Sequence, residues 1–249
     1  MKTKVIVLLA VLLIFSSFQY STEKESKFSG IDFTAGLHLS HSRIPVKIDK
    51  LEDDLTLFYA ALGLEAEFSE YFTVGALIGY GVNSMKDPVN FYQVPLTLQL
   101  DDTNFKSMML GFNVRSEFFS WKDFSFSANA EFMHFMKAKN DFLIFLDNVD
   151  GTGEFQNSLT RMSLELLAQY EGLSNIDLFA GPQLFLLKGK FNSSETVGNI
   201  SGDEELSYKQ RKPLGFVSGI HFEAGDFEVQ GKVTLFSNTS ISAIISYTF

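Results

Sequence analysis

From Gly30 to Ser40 the chain alternates strictly. Ile31, Phe33, Ala35, Leu37 and Leu39 fall on one side; Asp32, Thr34, Gly36, His38 and Ser40 fall on the other. A period of two is the strand period. The run also has the roughly 9–11 residues that a tilted strand needs to cross a bilayer. The pattern recurs along the chain. Phe58, Ala60, Leu62 and Leu64 oppose Tyr59, Ala61, Gly63 and Glu65, and Phe72, Val74, Ala76 and Ile78 oppose Thr73, Gly75, Leu77 and Gly79. Further alternating segments begin near Met108, Phe124, Arg161, Ile176, Gly215 and Phe227, and a last one runs from Ile241 to Phe249.

A soluble sandwich also alternates, with its apolar side chains inside. Two features favour the inverted arrangement, apolar outward and polar inward. The polar faces are rich in Gly and small residues, which suit a crowded lumen, and the strands are long with no helix to cover them. The pattern therefore predicts an all-β fold: an antiparallel up-and-down transmembrane β-barrel of about ten strands, with eight as the alternative. Pro182 cannot donate to a ladder and predicts a bulge in its strand.

The connections fall into two kinds. Ser69-Glu70, Ser120–Asp123, Gly172–Asn175 and Ala224–Asp226 read as tight turns, while 43–53, 84–105, 137–157 and 191–211 read as long polar loops. Short turns at one end and long loops at the other is the asymmetry of outer-membrane barrels. At the short-turn end Phe68, Tyr71, Phe72, Phe118, Phe119, Trp121, Phe124, Tyr170, Phe222, Phe227 and Phe249 gather, as an interfacial aromatic girdle requires. Segment 91–105 alternates too, through Tyr92, Val94, Leu96, Leu98 and Leu100. It reads as an extension of the third–fourth hairpin, because a further spanning strand would make the count odd.

Residues Met1–Lys4 are basic and Val5–Phe15 carry no charge, which reads as a cleaved signal peptide over 1–21 and a barrel over 22–249. The full chain of 249 residues has a net charge of −10; removing Lys2 and Lys4 leaves 18 basic against 30 acidic residues, or −12. That balance argues against nucleic acid as a partner. The absence of cysteine excludes disulfides, thiol nucleophiles and Cys-ligated zinc. Twenty-seven of the residues are Phe, a loading that suits a broad lipid-facing surface.

The ending Ile245-Ser246-Tyr247-Thr248-Phe249 resembles the C-terminal signature of bacterial outer-membrane proteins. Phe179-Ala180-Gly181-Pro182-Gln183 resembles a stretch of PorT-like and related outer-membrane β-barrel families. The resemblance implies that Ile245, Tyr247 and Phe249 form an assembly signal read by the barrel-assembly machinery. It also implies outer-membrane lipid as the surrounding partner and integral outer-membrane location after cleavage. It implies no substrate.

Among the inward charges, Glu65, Arg115, Glu117, Glu131, Arg161, Glu165 and Lys232 are expected to form a polar network that plugs the lumen, since buried charges persist only when paired. No cofactor, metal or catalytic motif stands out. Asp147–Glu154 misses the calcium-loop spacing. The best enzymatic lead is His38 or His41 beside Ser40 and Ser42, which would make the protein an outer-membrane hydrolase acting on lipid or peptide. A narrow passive pore is another reading, and a soluble calycin-like ligand binder a further one, though Gly30-Ile31-Asp32 lacks the Gly-x-Trp that the latter wants. The expectation is a structural, adhesive or loop-mediated binding role, with an extracellular ligand that the sequence does not name.

Overall fold

The computed structural model describes residues 31–48, 51–69, 71–85, 89–90, 97–98, 104–146 and 149–249. Eleven strands make one sheet: β1 (Asp32–Ile48), β2 (Leu51–Ser69), β3 (Phe72–Met85), β4 (Phe105–Trp121), β5 (Phe124–Leu146), β6 (Val149–Leu173), β7 (Ile176–Val197), β8 (Ile200–Gln210), β9 (Leu214–Ala224), β10 (Phe227–Leu235) and β11 (Thr239–Thr248). Neighbours pair antiparallel, and Val89–Asn90 pairs with Thr97–Leu98 in a separate short ladder.

The ring closes where the last strand meets the first. Thr34 to Arg43 of β1 pair residue by residue with Thr248 back to Thr239 of β11. The Phe249 amide donates to the Phe33 carbonyl at 2.9 Å, and the Thr34 and Thr248 hydroxyls lie 2.8 Å apart. At this level ten strands form the wall, because β8 is absent from it. Farther from the short turns the ring changes membership. β7 leaves β9 after Leu184 and pairs with β8 from Lys188; β1 leaves β11 after Arg43 and pairs with β8 from Val46 to Ile48. There β8 replaces β9, β10 and β11, so the far half is an eight-stranded ring.

The junction leaves backbone groups that neither ladder satisfies. Gln210 serves two of them: its Oε1 accepts from the Leu187 amide at 2.7 Å, and its Nε2 donates to the Phe185 carbonyl at 3.0 Å. The Arg211 amide donates to the Pro45 carbonyl, and the Phe185 amide to that of Pro213. A side-chain amide has the same donor and acceptor as a peptide unit, so it can stand in for a missing strand neighbour.

Each long strand keeps one register but inverts its chemistry partway along. On β1 the outward residues run Phe33, Leu37 and Leu39 and then Arg43, Pro45 and Lys47. The inward ones run Thr34, His38, Ser40 and Ser42, and then Ile44, Val46 and Ile48. β2 does the same, with Leu64, Leu62 and Phe58 outward before Thr56, Asp54 and Glu52, and with Glu65 inward before Tyr59, Leu57 and Leu55. The half near the short turns is thus apolar outside and polar inside. The far half is apolar inside and polar outside.

The outer belt spans about ten residues per strand, roughly 25 Å once the strand tilt is allowed for. It exposes Leu62, Ile78, Phe112, Ile220 and Ile241 at 51–65% of their area, a continuous apolar surface far larger than a water-facing protein presents. Aromatic rings edge it at the short-turn end. Phe124 lies against Tyr170 (5.1 Å), Phe227 against Tyr247 (5.0 Å) and Phe33 against Phe249 (6.4 Å), while Trp121 is open to its surroundings. This surface is that of a membrane-spanning barrel.

The far half has a largely apolar core, crossed by one buried polar chain in which the Tyr208 hydroxyl donates to Asn157 Oδ1 at 2.8 Å and Asn157 Nδ2 to Asn83 Oδ1 at 2.6 Å. Ile44, Leu57, Met109, Met133, Phe135, Phe185 and Leu187 have no exposed area, and Phe105, Phe191 and Tyr208 stack along it at 5.6 and 4.9 Å. Close approach needs glycine here: a Cβ on Gly81 would strike the Phe135 ring, and one on Gly189 the Tyr208 ring.

Two expectations are corrected. Segments 43–53, 137–157 and 191–211 are not loops. Strands run through nearly all of them, because their alternating residues gain the apolar core just described. No bulge occurs at Pro182. It faces outward at an unbroken register between Phe216 and the β6 side, where the ladder omits two pairs between Glu165–Gln183 and Ala168–Ala180; the bulges lie instead at Glu67/Ser69, Glu117/Phe119, Phe135/Ala138 and Tyr170/Leu173. The expected count of about ten strands holds for the membrane half, and eight strands form the far half. The signal-peptide segment, and Tyr92, Val94, Leu96 and Leu100 of the expected hairpin extension, lie outside the described residues.

The two zones respond differently to truncation. Phe135→Ala, which empties a site in the apolar core, is expected to destabilise the barrel by about 3–5 kcal/mol. Phe132→Ala, its neighbour facing lipid, is expected to cost less than half of that. Urea unfolding of both variants in lipid vesicles checks the order, and equal losses would contradict the zoning.

Candidate functional site

The lumen of the membrane half is where charged side chains from many strands converge. The inward parity of β5, β6 and β10 brings Glu131, Glu165 and Lys232 to one level, and β7 adds Gln183. Glu165 is 1% exposed and is the hub. Lys232 Nζ donates to it at 3.0 Å, Gln183 Nε2 at 2.8 Å and Asn129 Nδ2 at 3.3 Å. A buried carboxylate persists in an ionised form when a cation and several donors saturate its oxygens, which this arrangement supplies.

One layer farther from the short turns, Arg161 pairs with Glu131 at 3.1 Å. Its guanidinium lies between the rings of Tyr59 and Phe185, 5.6 and 5.5 Å from their centroids. A weakly hydrated planar cation can face carboxylate on one side and aromatic surface on the other. Arg161 is therefore the hinge between the polar lumen and the apolar core.

Toward the short turns, Asn113 Nδ2 donates to Glu65 Oε1 at 2.6 Å. Arg115 donates to Gln169 at 3.1 Å, and Gln169 in turn donates to Asp177 at 3.1 Å. A cavity of about 120 Å³ remains among Glu65, Arg115, Glu131, Glu165 and Lys232, lined also by His38 and His221. Of the seven expected interior residues, the structure brings Glu65, Glu131, Arg161, Glu165 and Lys232 into the lumen. Arg115 sits nearer the mouth and is more open. Glu117 lies beside the Glu117/Phe119 register shift, with its amide bonded to the Tyr71 carbonyl.

The network is built less from ion pairs than the sequence suggests. Each of Arg161 and Lys232 makes one close ion pair, and amides carry most of the remaining contacts. Formal charge alone does not point to Asn113, Asn129, Gln169 and Gln183, although the alternation places each at an inward position. His221 was missed too. Its Nδ1 lies 3.4 Å from Asp177 and 3.6 Å from Glu223, and its Nε2 lies 3.4 Å from Glu228. Asp177, His221 and Glu223 have donor atoms within 4.8 Å of one another, so they form the set among the described residues with the donor chemistry to hold a metal ion.

His38 and His41 do not share a site. His38 points into the lumen at 7% exposure, near Gly63, while His41 faces outward on the same strand. Side chains an odd number of residues apart on a strand lie on opposite faces. Ser40 and Ser42 share the His38 face.

Removing one partner of the hub leaves an uncompensated buried charge. Lys232→Met is expected to lose about 3–5 kcal/mol of stability. The double variant Lys232→Met/Glu165→Leu, which removes both charges, should recover most of that. Unfolding in detergent measures both, and a double variant as damaged as the single one would count against the hub.

No protein-family model matches the chain, so the resemblance to PorT-like families gains no support from one, and no curated protein matches it. Solved membrane barrels resemble it at low identity. The translocator domain of the autotransporter NalP from Neisseria meningitidis is 12% identical, covering 99% of this chain and 97% of that one, with a TM-score of 0.44. The outer-membrane protein AlkL is 9% identical over 91% of this chain and 93% of that one (TM-score 0.43). The outer-membrane protease OmpT from Escherichia coli is 9% identical over 92% and 100% (TM-score 0.49).

Proposed function

We propose that this protein is an integral outer-membrane barrel with a closed lumen, whose working surface is the rigid strand extension beyond the membrane. The role that fits is structural, adhesive or ligand-binding. Short turns face the periplasm in barrels of this kind, so the far half stands outside the cell. The observation that carries the proposal is the apolar core. Ile44, Leu57, Met133, Phe135, Phe185 and Leu187 come from four strands and have no exposed area, directly above the Arg161–Glu131 layer. A column of water cannot pass side chains packed in that way.

The extension is built to stand in water. Arg43–Asp54 (2.6 Å), Lys139–Glu154 (3.0 Å) and Arg211–Glu52 (2.9 Å) pair charges on its outer face. The Gln156 amide and the Lys139 ammonium hold the Glu154 carboxyl below its usual range, while burial raises the Tyr208 phenol well above its ordinary value. Strands that continue past the bilayer hold any ligand-contacting tip at fixed distance and orientation, which a flexible loop does not.

Planar bilayers test the closed lumen. The purified barrel is expected to insert without steady unitary conductance in concentrated potassium chloride. Reproducible, long-lived steps from wild-type protein would overturn the reading in favour of a passive pore.

A further inference from the structure

On the outer wall, just beyond the apolar belt, three lysines stand side by side on adjacent strands. Lys188 of β7 is directly opposite Lys209 of β8, and Lys209 is directly opposite Lys47 of β1. The same row continues through Thr160 and His134 on β6 and β5. All three lysines are exposed and point outward, and none has an ion pair among the described residues. The acids nearby are already engaged. Glu52, opposite Lys47, pairs with Arg211 at 2.9 Å, and Glu205 pairs with Lys190 at 2.7 Å.

Like charges directly opposite one another across strands repel. This arrangement is costly by itself, and it stands out in a chain whose net charge is −10. The lysines also border a concavity of about 730 Å³ in the outer wall, which adds the hydroxyls of Ser158, Thr160 and Ser207 and the imidazole of His134. Ammonium groups set among hydroxyl donors are what a phosphate oxygen accepts from.

Location selects the kind of anion. Toward the short turns the next outward positions are Phe132, Met162 and Leu186 of the belt on β5, β6 and β7; beside Lys47 come Pro45 and Arg43 before Leu39, and beside Lys209 comes Arg211 before Leu214. The lysine row therefore sits at the height where lipid headgroups begin. We propose that Lys47, Lys188 and Lys209 form a binding site for the phosphate group of a phosphorylated lipid in the surrounding leaflet. The acyl chains would lie along Met162, Leu186 and Leu214. The site depends on the membrane belt and is independent of whether the lumen conducts.

The test uses the full barrel folded in zwitterionic detergent. It is titrated separately with bisphosphorylated lipid A, phosphatidylglycerol, phosphatidylcholine and inorganic phosphate, with binding read by native mass spectrometry. Each lysine near such a surface contributes enough that Lys47→Gln/Lys188→Gln/Lys209→Gln should weaken lipid A binding by roughly a hundredfold. The corresponding triple Lys→Arg variant should retain it, and added salt should weaken it in the wild type. Without lipid the triple Gln variant should melt no lower than wild type, since a repulsion has been relieved. The proposal is overturned if the triple Gln variant binds lipid A as well as wild type, or if phosphatidylcholine binds equally. It is overturned also if inorganic phosphate saturates the site at the concentrations used for the lipids. Should the Gln variant fail to fold, loss of lipid A binding with salt in the wild type, set against unchanged phosphatidylcholine binding, decides the matter in the same way.

Discussion

Inside a lipid bilayer a backbone N–H or C=O finds no water, so each must be paired within the protein. That constraint governs the rest of this molecule. It requires β11 to return to β1 over ten consecutive residue pairs, and it leaves no free edge in the membrane half. Once the ring is closed, side chains have only two directions, and the two solvents on either side of the wall decide what each direction holds.

The second consequence is the inversion. A strand passing from lipid into water meets a new solvent without changing its register. Outward positions go from Leu37 and Leu39 to Arg43 and Lys47, and inward positions from His38 and Ser40 to Ile44 and Val46. Below the junction the lumen is held by Glu165, Lys232 and their amide partners; above it by close-packed rings and aliphatic chains. Arg161 can sit at the boundary because its guanidinium forms an ion pair with Glu131 and lies over two aromatic rings. The change from ten strands to eight occurs near the same height, and a narrower ring suits a core filled by side chains alone.

Alternation such as Ile31 to Leu39 carried the strand assignments and the fold class, because a two-solvent wall imposes that period directly. The same period misled at 43–53, 137–157 and 191–211. Polar residues such as Arg43, Lys47, Lys139 and Lys209 look like loop composition when the outward face is assumed to touch lipid along its whole length. Their inward partners Ile44, Val46, Ala138 and Tyr208 carried the contrary signal, an apolar face on the opposite parity. The interior network was legible as charges at inward positions, whereas its amide contacts depend on which strands meet across the lumen. That is set by the ring's registers and not by local sequence. The lysine row was invisible for the same reason, since Lys47, Lys188 and Lys209 are far apart in the chain and adjacent only after closure.

The most direct test of the inversion is a scan of nitroxide spin labels along β1 in lipid vesicles, with oxygen as the lipid-soluble relaxant and a nickel chelate as the water-soluble one. At Leu39 the label should respond to oxygen, at Lys47 to nickel, and at Val46 weakly to both, with the exchange falling between Leu39 and Lys47. If Leu39 and Lys47 report one and the same environment, or if Val46 is freely reached by the nickel chelate, the two-zone account is wrong.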